Sequence, residues 1–550
     1  MSLTQKEREY VQAALDSGAK RLKTGPLSKS EAVSMGRDIV ESRKETERQR
    51  KIAETIANKP DNYYILTDDA ELPAFTDRLR KEILLQREQW AGRFELLGVD
   101  SMTAGDFEGT GIDSYIDLSI GFSIWLPLLD EGYYLPYGHV DMRGVEGFEF
   151  LADDFAFIEG QPQLTRSKVL AAITPYLAKP NLGKTLHMGS ARYDLHVAKN
   201  DGYTIRGCVW DTLDAMQTLN EHEQSYGLKP LTDRYKKNMG VEGDVFTFED
   251  LFGNRSPAPF GTLIVGIYAI KDVYFGWRLF EWQFELIKRT DNLMTCYSRV
   301  DSKLPETDVF MERCGFLIDL DMAAQLEREY SEELEKARRQ VFETYGIDDA
   351  FIRKMDRTIS VNKIDKWVEA QRMKRATLQK RIEAKTQKIT ELEAANKTHT
   401  KGYEKEVAML EKYRKELAEL PAAKRDNAPQ FVDSFELTNG NHIAYLIYDH
   451  LEIEDKTKVI DKNKSRSTAV DVMEIYFEDE PTLEPLATVS MYTKLLSTYL
   501  RPMLGIGTNS SLEIDGRLHS NFKAGGTSTG RYSSSQYSGR PIDILKEVIA

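Results

Sequence analysis

The stretch that decides the fold is Asp106-Phe-Glu108-Gly-Thr-Gly-Ile-Asp113. If it is an extended strand, the side chains of Asp106 and Glu108 point to the same face, because alternate strand residues face the same way. Carboxylate oxygens are the ligands that Mg²⁺ prefers, so one metal ion could bridge both side chains. An Asp-x-Glu pair also arises by chance in a chain with 88 Asp and Glu residues, so the surrounding sequence has to carry the argument.

Strand and helix patterns alternate on both sides of this stretch. Upstream, residues 62–67 have the composition of a short strand, and an amphipathic helix is predicted from there to about residue 90. Downstream, residues 116–137 hold two apolar runs separated by Pro127 and polar residues, which is typical of a β-hairpin. Helical patterns follow at 165–178, 190–200, 211–222 and 261–289, with a strand at 205–210. The alternation predicts an α/β domain.

A different pattern occupies residues 356–420. Apolar residues recur at near-heptad spacing on both sides of an interruption at 396–402, which predicts an antiparallel helical hairpin ended by Pro421. The predicted seam consists of Ile364, Val368, Leu378, Ile382, Ile389, Leu392, Tyr403, Val407, Leu410 and Leu417. Its charged faces are most simply solvated helix surface; the alternative is a docking arm for a partner or for DNA.

Composition narrows the classes of protein. With 550 residues several domains are expected, and a formal net charge of −14 means that contact with nucleic acid would need local basic patches or bound metal. Three cysteines without a CxxC motif or a nearby histidine cluster support neither a disulfide framework nor a zinc site. No apolar run is long enough for a membrane helix, so a cytoplasmic protein without a membrane partner is expected.

Two further acidic segments complete a candidate site. They are Tyr193-Asp194 and Tyr268-Ala-Ile-Lys-Asp272. Tyr268 and Asp272 are four residues apart in a helical pattern, so they lie one turn apart on one face. Taken singly, a packed helix tyrosine or a surface aspartate would be the ordinary interpretation. Together with the first segment they could hold two metal ions about 4 Å apart, which is the arrangement of many phosphodiester-cleaving sites.

In their order, strand Asp-x-Glu, helix Asp and helix Tyr-x-x-x-Asp, these segments resemble the proofreading domain of family A DNA polymerases, the DNA polymerase I type. That domain is a ribonuclease H-like DEDD exonuclease in its tyrosine variant. The resemblance implies a 3′-5′ exonuclease with two Mg²⁺ (or Mn²⁺) ions. Asp106, Glu108 and Asp272 would bind one ion, and Asp106 with Asp194 the other. Tyr268 would position the nucleophilic water.

Three more segments carry the same resemblance. They are Asn62-Tyr-Tyr-Ile-Leu-Thr67, Arg206-Gly-Cys-Val-Trp-Asp211-Thr212 and Phe246-Thr-Phe-Glu-Asp250. One position departs from the family, because Ser190 stands where an asparagine usually precedes the second-motif aspartate; this puts the contacts to the substrate strand in doubt. His187 and His196 flank that motif, but their spacing is poor for two ligands on one helix, and we expect them to be packed or solvated.

Downstream, the segments around Val309 to Asp319 and Asp515-Gly-Arg-Leu-His519 resemble the entrance to the polymerase thumb and the strand that lines the primer–template duplex. In Thr527-Ser-Thr-Gly-Arg531-Tyr-Ser-Ser, glycine allows close approach to phosphates, hydroxyls donate to them, and the arginine can read minor-groove acceptors common to all base pairs. Without these neighbours, a flexible Gly/Ser loop would be the interpretation. The residues expected to contact DNA are Lys494, Ser497, Thr498, Arg517, His519, Thr527, Thr529, Arg531, Ser533 and Ser534.

The resemblance also implies a domain order. We expect a helical N-terminal appendage at 1–59, an α/β exonuclease domain with a mixed sheet at 60–295, a mainly α thumb at 296–485 and a partial α+β palm at 486–550. The helical hairpin, at about 350–430, would be an insertion in the thumb. Related phage enzymes carry thumb insertions that bind processivity partners, so a processivity factor is a possible partner here.

The family's polymerase metal-binding strand, second palm aspartate and fingers helix are not found before Ala550. The expected function is therefore the exonuclease and thumb subunit of a split phage polymerase in the host cytoplasm. Its partners would be a single-stranded 3′ end, primer–template DNA and a second chain carrying the rest of the palm and the fingers. The alternatives are a free-standing 3′-5′ exonuclease and a non-catalytic DNA-binding scaffold.

Overall fold

The chain packs into two compact units, unit 1 with Met1–Leu317 and Ser511–Ala550, and unit 2 with Ile318–Ser510. The computed structural model describes residues 29–148, 151, 154–186, 192–243, 245–253, 255–394, 398, 400–427, 435–455, 468, 476–477, 480–506, 515–524 and 531–536. For residues 29–36, 38, 185, 186, 362, 401, 404 and 426 it describes the backbone alone. Four residues discussed above lie outside the described residues: His187, Ser190, Thr527 and Thr529.

Unit 1 is built on a six-stranded mixed sheet with helices, which confirms the α/β domain that the alternation of patterns predicts. Its strands are β1 (Tyr63–Ile65), β2 (Ser101–Gly109), β3 (Ser119–Leu126), β4 (Glu131–Pro136), β5 (Leu182–Leu186) and β6 (Cys208–Asp211). The spatial order is β1-β4-β3-β2-β5-β6. The predicted hairpin is the antiparallel pair β3–β4, and β2 lies between antiparallel β3 and parallel β5. The acidic strand is therefore internal to the sheet.

Helices cover both faces of this sheet. They are α1 (Lys29–Ala57), α2 (Leu72–Gln89), α3 (Arg166–Leu177), α4 (Arg192–Asn200), α5 (Thr212–Leu219), α6 (Leu228–Met239), α7 (Phe248–Phe252), α8 (Thr262–Ile287), α9 (Asp291–Arg299) and α10 (Leu304–Cys314). Short 3₁₀ turns occur at Asp69–Glu71, Glu95–Leu97 and Asp301–Lys303. In α1, Ile52 is only 1% exposed and belongs to the core that contains α8.

Helix α8 decides which face of β2 becomes the site. It is apolar around most of its circumference and packs on β1 to β4. The approach is close because a Cβ on Gly132 would lie 2.1 Å from Ile270, and one on Gly266 2.6 Å from Ile65. On β2, Met102 belongs to the core under α8, whereas Phe107 belongs to the core on the opposite face. Even-numbered β2 residues, including both acids, therefore face α8.

Unit 2 is helical. It contains α11 (Leu320–Tyr345), α12 (Asp349–Ala394), α13 (Lys401–Glu419), α14 (Gly440–Ala444), α15 (Glu484–Lys494) and α16 (Arg501–Met503). Two π-helical turns continue α14 and α15 over Tyr445–His450 and Leu495–Leu500, and 3₁₀ turns occur at Arg425–Asn427 and Pro481–Leu483. Lys385 pairs with Glu406, and Arg375 donates to the carbonyl of Leu420. These contacts make α12 and α13 an antiparallel hairpin, and Val368, Leu378, Ile389 and Leu410 of the predicted seam are buried.

The segment expected to form a partial palm is divided between the units at Ser510/Ser511. Beyond the division, β8 (Arg517–Leu518) pairs with β7 (Phe316–Leu317), and β9 (Ser520–Lys523) pairs with β10 (Ser533–Gln536). These short strands belong to unit 1. Within the described part of the chain, no helix combines the length and the apolar character needed to cross a membrane.

Candidate active site

The two acids of β2 lie in the protein interior. Asp106 is 3% exposed and Glu108 7% exposed, beneath α8. Burial, followed by the nearby charges of Asp194 and Glu108, raises the pKa of Asp106 well above its ordinary value. Burial also raises the pKa of Glu108 to about 7. Neighbouring carboxyl groups that are buried away from water resist ionisation unless a cation compensates their negative charge.

Helix α4 brings the third acid to β2. Asp194 is fully buried in the first turn of α4, and its Oδ1 accepts a hydrogen bond of 3.0 Å from the backbone N–H of Phe107. Burial raises the pKa of Asp194 well above its ordinary value. The preceding Tyr193 donates through its hydroxyl to the carbonyl of Gly111 at 2.6 Å, and a Cβ on Gly109 would lie 2.0 Å from that hydroxyl. The glycines after Glu108 thus let α4 approach the end of β2.

Helix α8 contributes the last two predicted residues. Tyr268 and Asp272 are one turn apart and are 5% and 2% exposed. The ring of Tyr268 packs edge-on against Phe248 and Phe252 of α7, with centroids 5.8 and 5.3 Å away. Burial, followed by the charges of the β2 acids, raises the pKa of Tyr268 well above its ordinary value. Its hydroxyl is therefore a neutral phenol at physiological pH.

Lys229, in the first turn of α6, is a member of this site that the sequence analysis did not identify. Its ammonium forms an ion pair with Asp272 and lies 4.6 Å from the ring centroid of Tyr268. Burial and the neighbouring Lys271 lower the pKa of Lys229 to about 7, against the opposing effect of Glu108. Nothing in the local sequence around Lys229 distinguishes it from the chain's other cationic residues, since its partner is 43 residues away.

The chemistry of the cluster fits divalent cations. One carboxylate oxygen each of Glu108, Asp194 and Asp272 is buried without a hydrogen-bond partner in the described part of the chain, which is costly unless a cation binds there. Four carboxylates form the oxygen-only donor set that Mg²⁺ prefers. Among the described residues, no group of three or more Asp, Glu, His or Cys side chains has an arrangement that could hold a metal ion. Lys229 instead supplies the positive charge beside Asp272, so a metal bound to Asp272 would require its ammonium to move.

The predicted DNA-contacting residues fall into separate places. In unit 2, Lys494, Ser497 and Thr498 line a surface cavity of about 290 Å³ beside α15. In unit 1, Arg531 is exposed, and Ser533 and Ser534 follow it on β10.

The remaining two predicted contacts, Arg517 and His519, are engaged within unit 1. Arg517 Nε donates to the carbonyl of Cys314 at 2.7 Å. His519 is 1% exposed, and its ring nitrogens contact the carbonyl of Glu312 at 2.6 Å and Asp515 Oδ1 at 2.8 Å. His519 therefore fastens its segment to α10 rather than facing solvent.

A buried carboxylate on α10 links that segment to the candidate site. Glu312 binds Arg192 at 2.8 Å and His196 at 2.7 Å, both on α4, and accepts a 2.7 Å hydrogen bond from the backbone N–H of Phe522 on β9. Burial lowers the pKa of His196, so its neutral ring can donate to the carboxylate. The same α4 carries Asp194. Sequence reasoning missed Glu312 because its partners are 116 or more residues away.

A comparison with protein families finds a match outside the acidic cluster. The family model described as DNA polymerase family A matches residues 407–545. That segment is therefore similar to family A DNA polymerases. DNA polymerase I of Pseudomonas aeruginosa is 24% identical over 264 residues, which are 43% of this chain and 28% of that protein. DNA polymerase I of Caldicellulosiruptor bescii is 33% identical over 102 residues, 18% of this chain and 11% of that protein.

The chain aligns with only part of the length of these relatives. DNA polymerase I of Chloroflexus aurantiacus is 24% identical over 44% of this chain and 23% of its own length, so the alignments span about a quarter of the first two relatives. A solved structure, the polymerase domain of Pol1 from M. smegmatis with DNA primer-template and dNTP, is similar over 81% of this chain and 53% of that one, with 18% identity and a TM-score of 0.47. The family-model match, residues 407–545, does not include the acidic cluster.

Proposed function

We propose that the acidic cluster of unit 1 is a 3′-5′ exonuclease site joined to a DNA-gripping, family A polymerase-like region. The observation that carries the proposal is the convergence of unpartnered, buried carboxylate oxygens from β2, α4 and α8 beside a neutral tyrosine. So much buried negative charge is expensive for a folding chain, and it is expected where phosphoryl transfer needs it. The order of the motifs adds the resemblance to a proofreading domain.

The proposed chemistry is hydrolysis of the terminal phosphodiester. A bond forms between a water oxygen and phosphorus, and the bond from phosphorus to the 3′ oxygen of the preceding nucleotide breaks. Asp106, Glu108, Asp194 and Asp272 would hold two Mg²⁺ ions, which when bound stabilise charge on the attacking and leaving oxygens. Tyr268 would orient the water by hydrogen bonding, because its raised pKa keeps it protonated and excludes a phenolate base.

The experiment compares 3′- and 5′-labelled single-stranded DNA with the full chain and Mg²⁺. We expect stepwise loss from the 3′ end, abolished by Asp106→Ala and lowered about 10²-fold by Tyr268→Phe with metal binding retained. The matched control is Asp77→Ala, because Asp77 is an exposed α2 aspartate in a surface pair with Arg80. If the parent degrades nothing and Asp106→Ala is indistinguishable from it, the protein is a scaffold and the proposal is wrong. If the parent is active and Asp106→Ala degrades DNA equally well, the acidic cluster is not the active site, which also overturns the proposal.

The polymerase-like region supports a second element of the proposal, namely contact with primer–template DNA. The family A match includes Lys494, Ser497 and Thr498 as well as Arg531 and the β10 serines. We propose that the lysine and the hydroxyl side chains contact the sugar–phosphate backbone, which fixes position without reading sequence, and that Arg531 reaches minor-groove acceptors common to all base pairs. Their substitution by alanine should weaken binding of a primer–template duplex more than binding of a single strand.

Partner proteins are part of the same proposal. A complementary chain with the remaining palm and fingers should copurify with the natural protein; a stable exonuclease that purifies alone from its natural source would favour the free-standing alternative. For the α12–α13 hairpin we propose a processivity partner. A variant that lacks residues 356–420 should keep single-strand degradation but lose processive synthesis in the complex, and unchanged processivity and assembly would overturn this role.

A further inference from the structure

A groove on unit 1 lies between α4, residues 204–206 and α10. Its volume is about 540 Å³. The floor is apolar, formed by Leu195, Ile205 and Val309, which are all at most 5% exposed. On its wall stands Phe310, whose side chain is 69% exposed although it follows a buried valine in α10. A large aromatic side chain left in solvent beside an apolar floor indicates a surface that binds something flat.

The rim of the groove is basic. Lys199, Arg206 and Arg313 line it, against Glu306 as the carboxylate among its described lining residues. Lys199 donates to the hydroxyl of Thr204 at 2.7 Å. Arg313 donates to the amide oxygen of Asn200 at 2.9 Å and lies 3.3 Å from Nδ1 of His196. None of these partners carries a negative charge.

Across the described residues, none of the three cations forms an ion pair with a carboxylate. They therefore concentrate positive charge on a protein whose formal net charge is −14. Such a local excess favours an anionic ligand over neutral ones.

We propose that this groove binds single-stranded DNA, with a base stacked on Phe310 and backbone phosphates bound by Arg206, Lys199 and Arg313. A single strand offers what the groove complements, a planar base beside a phosphate, and every base has a face to stack. Two guanidinium groups provide planar forks that suit phosphate oxygens. Asp194 is next to the floor residue Leu195 in α4, but neither Asp194 nor another acid of the cluster is among the described residues that line the groove. The groove is therefore a surface distinct from the acidic cluster.

The test measures binding without cleavage. The full chain carrying Asp106→Ala, in EDTA, is titrated into a fluorescein-labelled oligothymidylate and followed by anisotropy. We expect Phe310→Ala to raise Kd about 5- to 150-fold, the range for one stacked base. Arg206→Glu should raise Kd and lower the slope of log K against log salt by about 0.7 for each lost phosphate contact.

Matched controls use exposed residues of α2. Lys81→Glu makes the same kind of charge reversal as Arg206→Glu, and Leu84→Ala truncates an apolar side chain that is 56% exposed. Both should leave Kd unchanged within twofold. Unaltered thermal unfolding of each variant shows that it is folded.

A photochemical experiment locates the strand directly. An oligonucleotide containing 5-iodouracil, irradiated in complex with the chain, should crosslink to the peptide that contains Phe310. Parent-like affinity of both groove variants, or crosslinks confined to other segments, would overturn the proposal. Binding of an acidic, tryptophan-containing peptide that depends on Phe310, in the absence of such binding by the oligonucleotide, would also overturn it and assign the groove to a protein partner. None of these readouts requires nuclease activity, so failure of the proposed exonuclease leaves the outcome readable.

Discussion

Replacing Lys229 with methionine tests the electrostatic design of the candidate site. The ammonium of Lys229 is the partner of Asp272, and both side chains are largely buried, with exposed fractions of 12% and 2%. Methionine keeps the length and the apolar stem of the side chain but leaves the Asp272 carboxylate without a partner. Removing one member of a buried ion pair typically costs about 3–5 kcal/mol.

Protonation of Asp272 keeps the loss of stability below the upper end of that range. An aspartic acid of ordinary pKa about 3.9 loses its unpaired negative charge when it is protonated, and at about pH 6.5 this protonation costs about 3.5 kcal/mol. The expected loss is therefore about 3 kcal/mol in EDTA near that pH. If the acidic cluster binds divalent metal, the metal supplies the missing charge, and saturating Mg²⁺ or Mn²⁺ should restore most of the loss.

Hydrogen exchange of β2 and α8 amides, read by mass spectrometry with EDTA or with metal, measures this local stability. Lys237→Met, an exposed lysine on the same α6, serves as the control and should change stability by less than about 0.5 kcal/mol. The reasoning is refuted if Lys229→Met exchanges like the parent in EDTA. It is also refuted if divalent metal protects the variant no more than it protects the parent.

Three more predictions concern unit 1, and one of them is compared with a substitution in unit 2. In the folded, metal-free chain the pKa of Glu108 is about 7, against 4.5 when unfolded. The free energy of unfolding in EDTA should therefore fall by about 3 kcal/mol as pH rises from 4.5 to 7. Urea unfolding measured across this pH range should show a smaller fall for Glu108→Gln. A Cβ at Gly132 would collide with Ile270, so Gly132→Ala should lower stability by about 1–3 kcal/mol. By contrast, Gly402→Ala in α13, with no atom nearer than 3.7 Å, should stabilise its helix by about 0.5–1 kcal/mol, and equal effects on thermal unfolding would contradict the packing argument. Glu312→Gln should speed hydrogen exchange in residues 515–524, because it weakens the contact with Arg192 while it leaves an acceptor for the backbone N–H of Phe522. Protection from exchange equal to that of the parent would show that the charge of Glu312 does not hold this segment.

The parts of unit 1 that could be predicted are those that the local spacing of apolar and polar residues specifies. Residues 116–137 alternate and turn as a hairpin must, and the structure has β3 and β4 there. The separation of Asp106 from Glu108 by one residue places both on one face of any strand, and the core residue Met102 fixes that face as the one under α8. Four-residue spacing does the same for Tyr268 and Asp272 on the helix.

Unit boundaries and charge partners could not be predicted, since they depend on contacts between distant segments. Residues 486–550 look continuous in sequence, yet the packing separates them at Ser510/Ser511. His519 carries the composition of a DNA contact, but its burial is set by Glu312, 207 residues earlier. No sequence pattern distinguishes a single functional glutamate or lysine from the others. Lys229 and Glu312 could therefore be identified only from their neighbours in the structure.

The charges in the site lead to one further conclusion about its metal-free state. Four carboxylates, those of Asp106, Glu108, Asp194 and Asp272, meet one ammonium, so three negative charges would remain if every group were ionised. Raised pKa values at Asp106, Glu108 and Asp194 mean that protons neutralise much of this excess. A divalent cation must then displace protons as well as the Lys229 ammonium, and metal affinity should rise with pH because each binding event releases protons. Titration calorimetry in buffers of different ionisation enthalpy measures that release directly, and binding without proton release would mean that the carboxyl groups are already ionised.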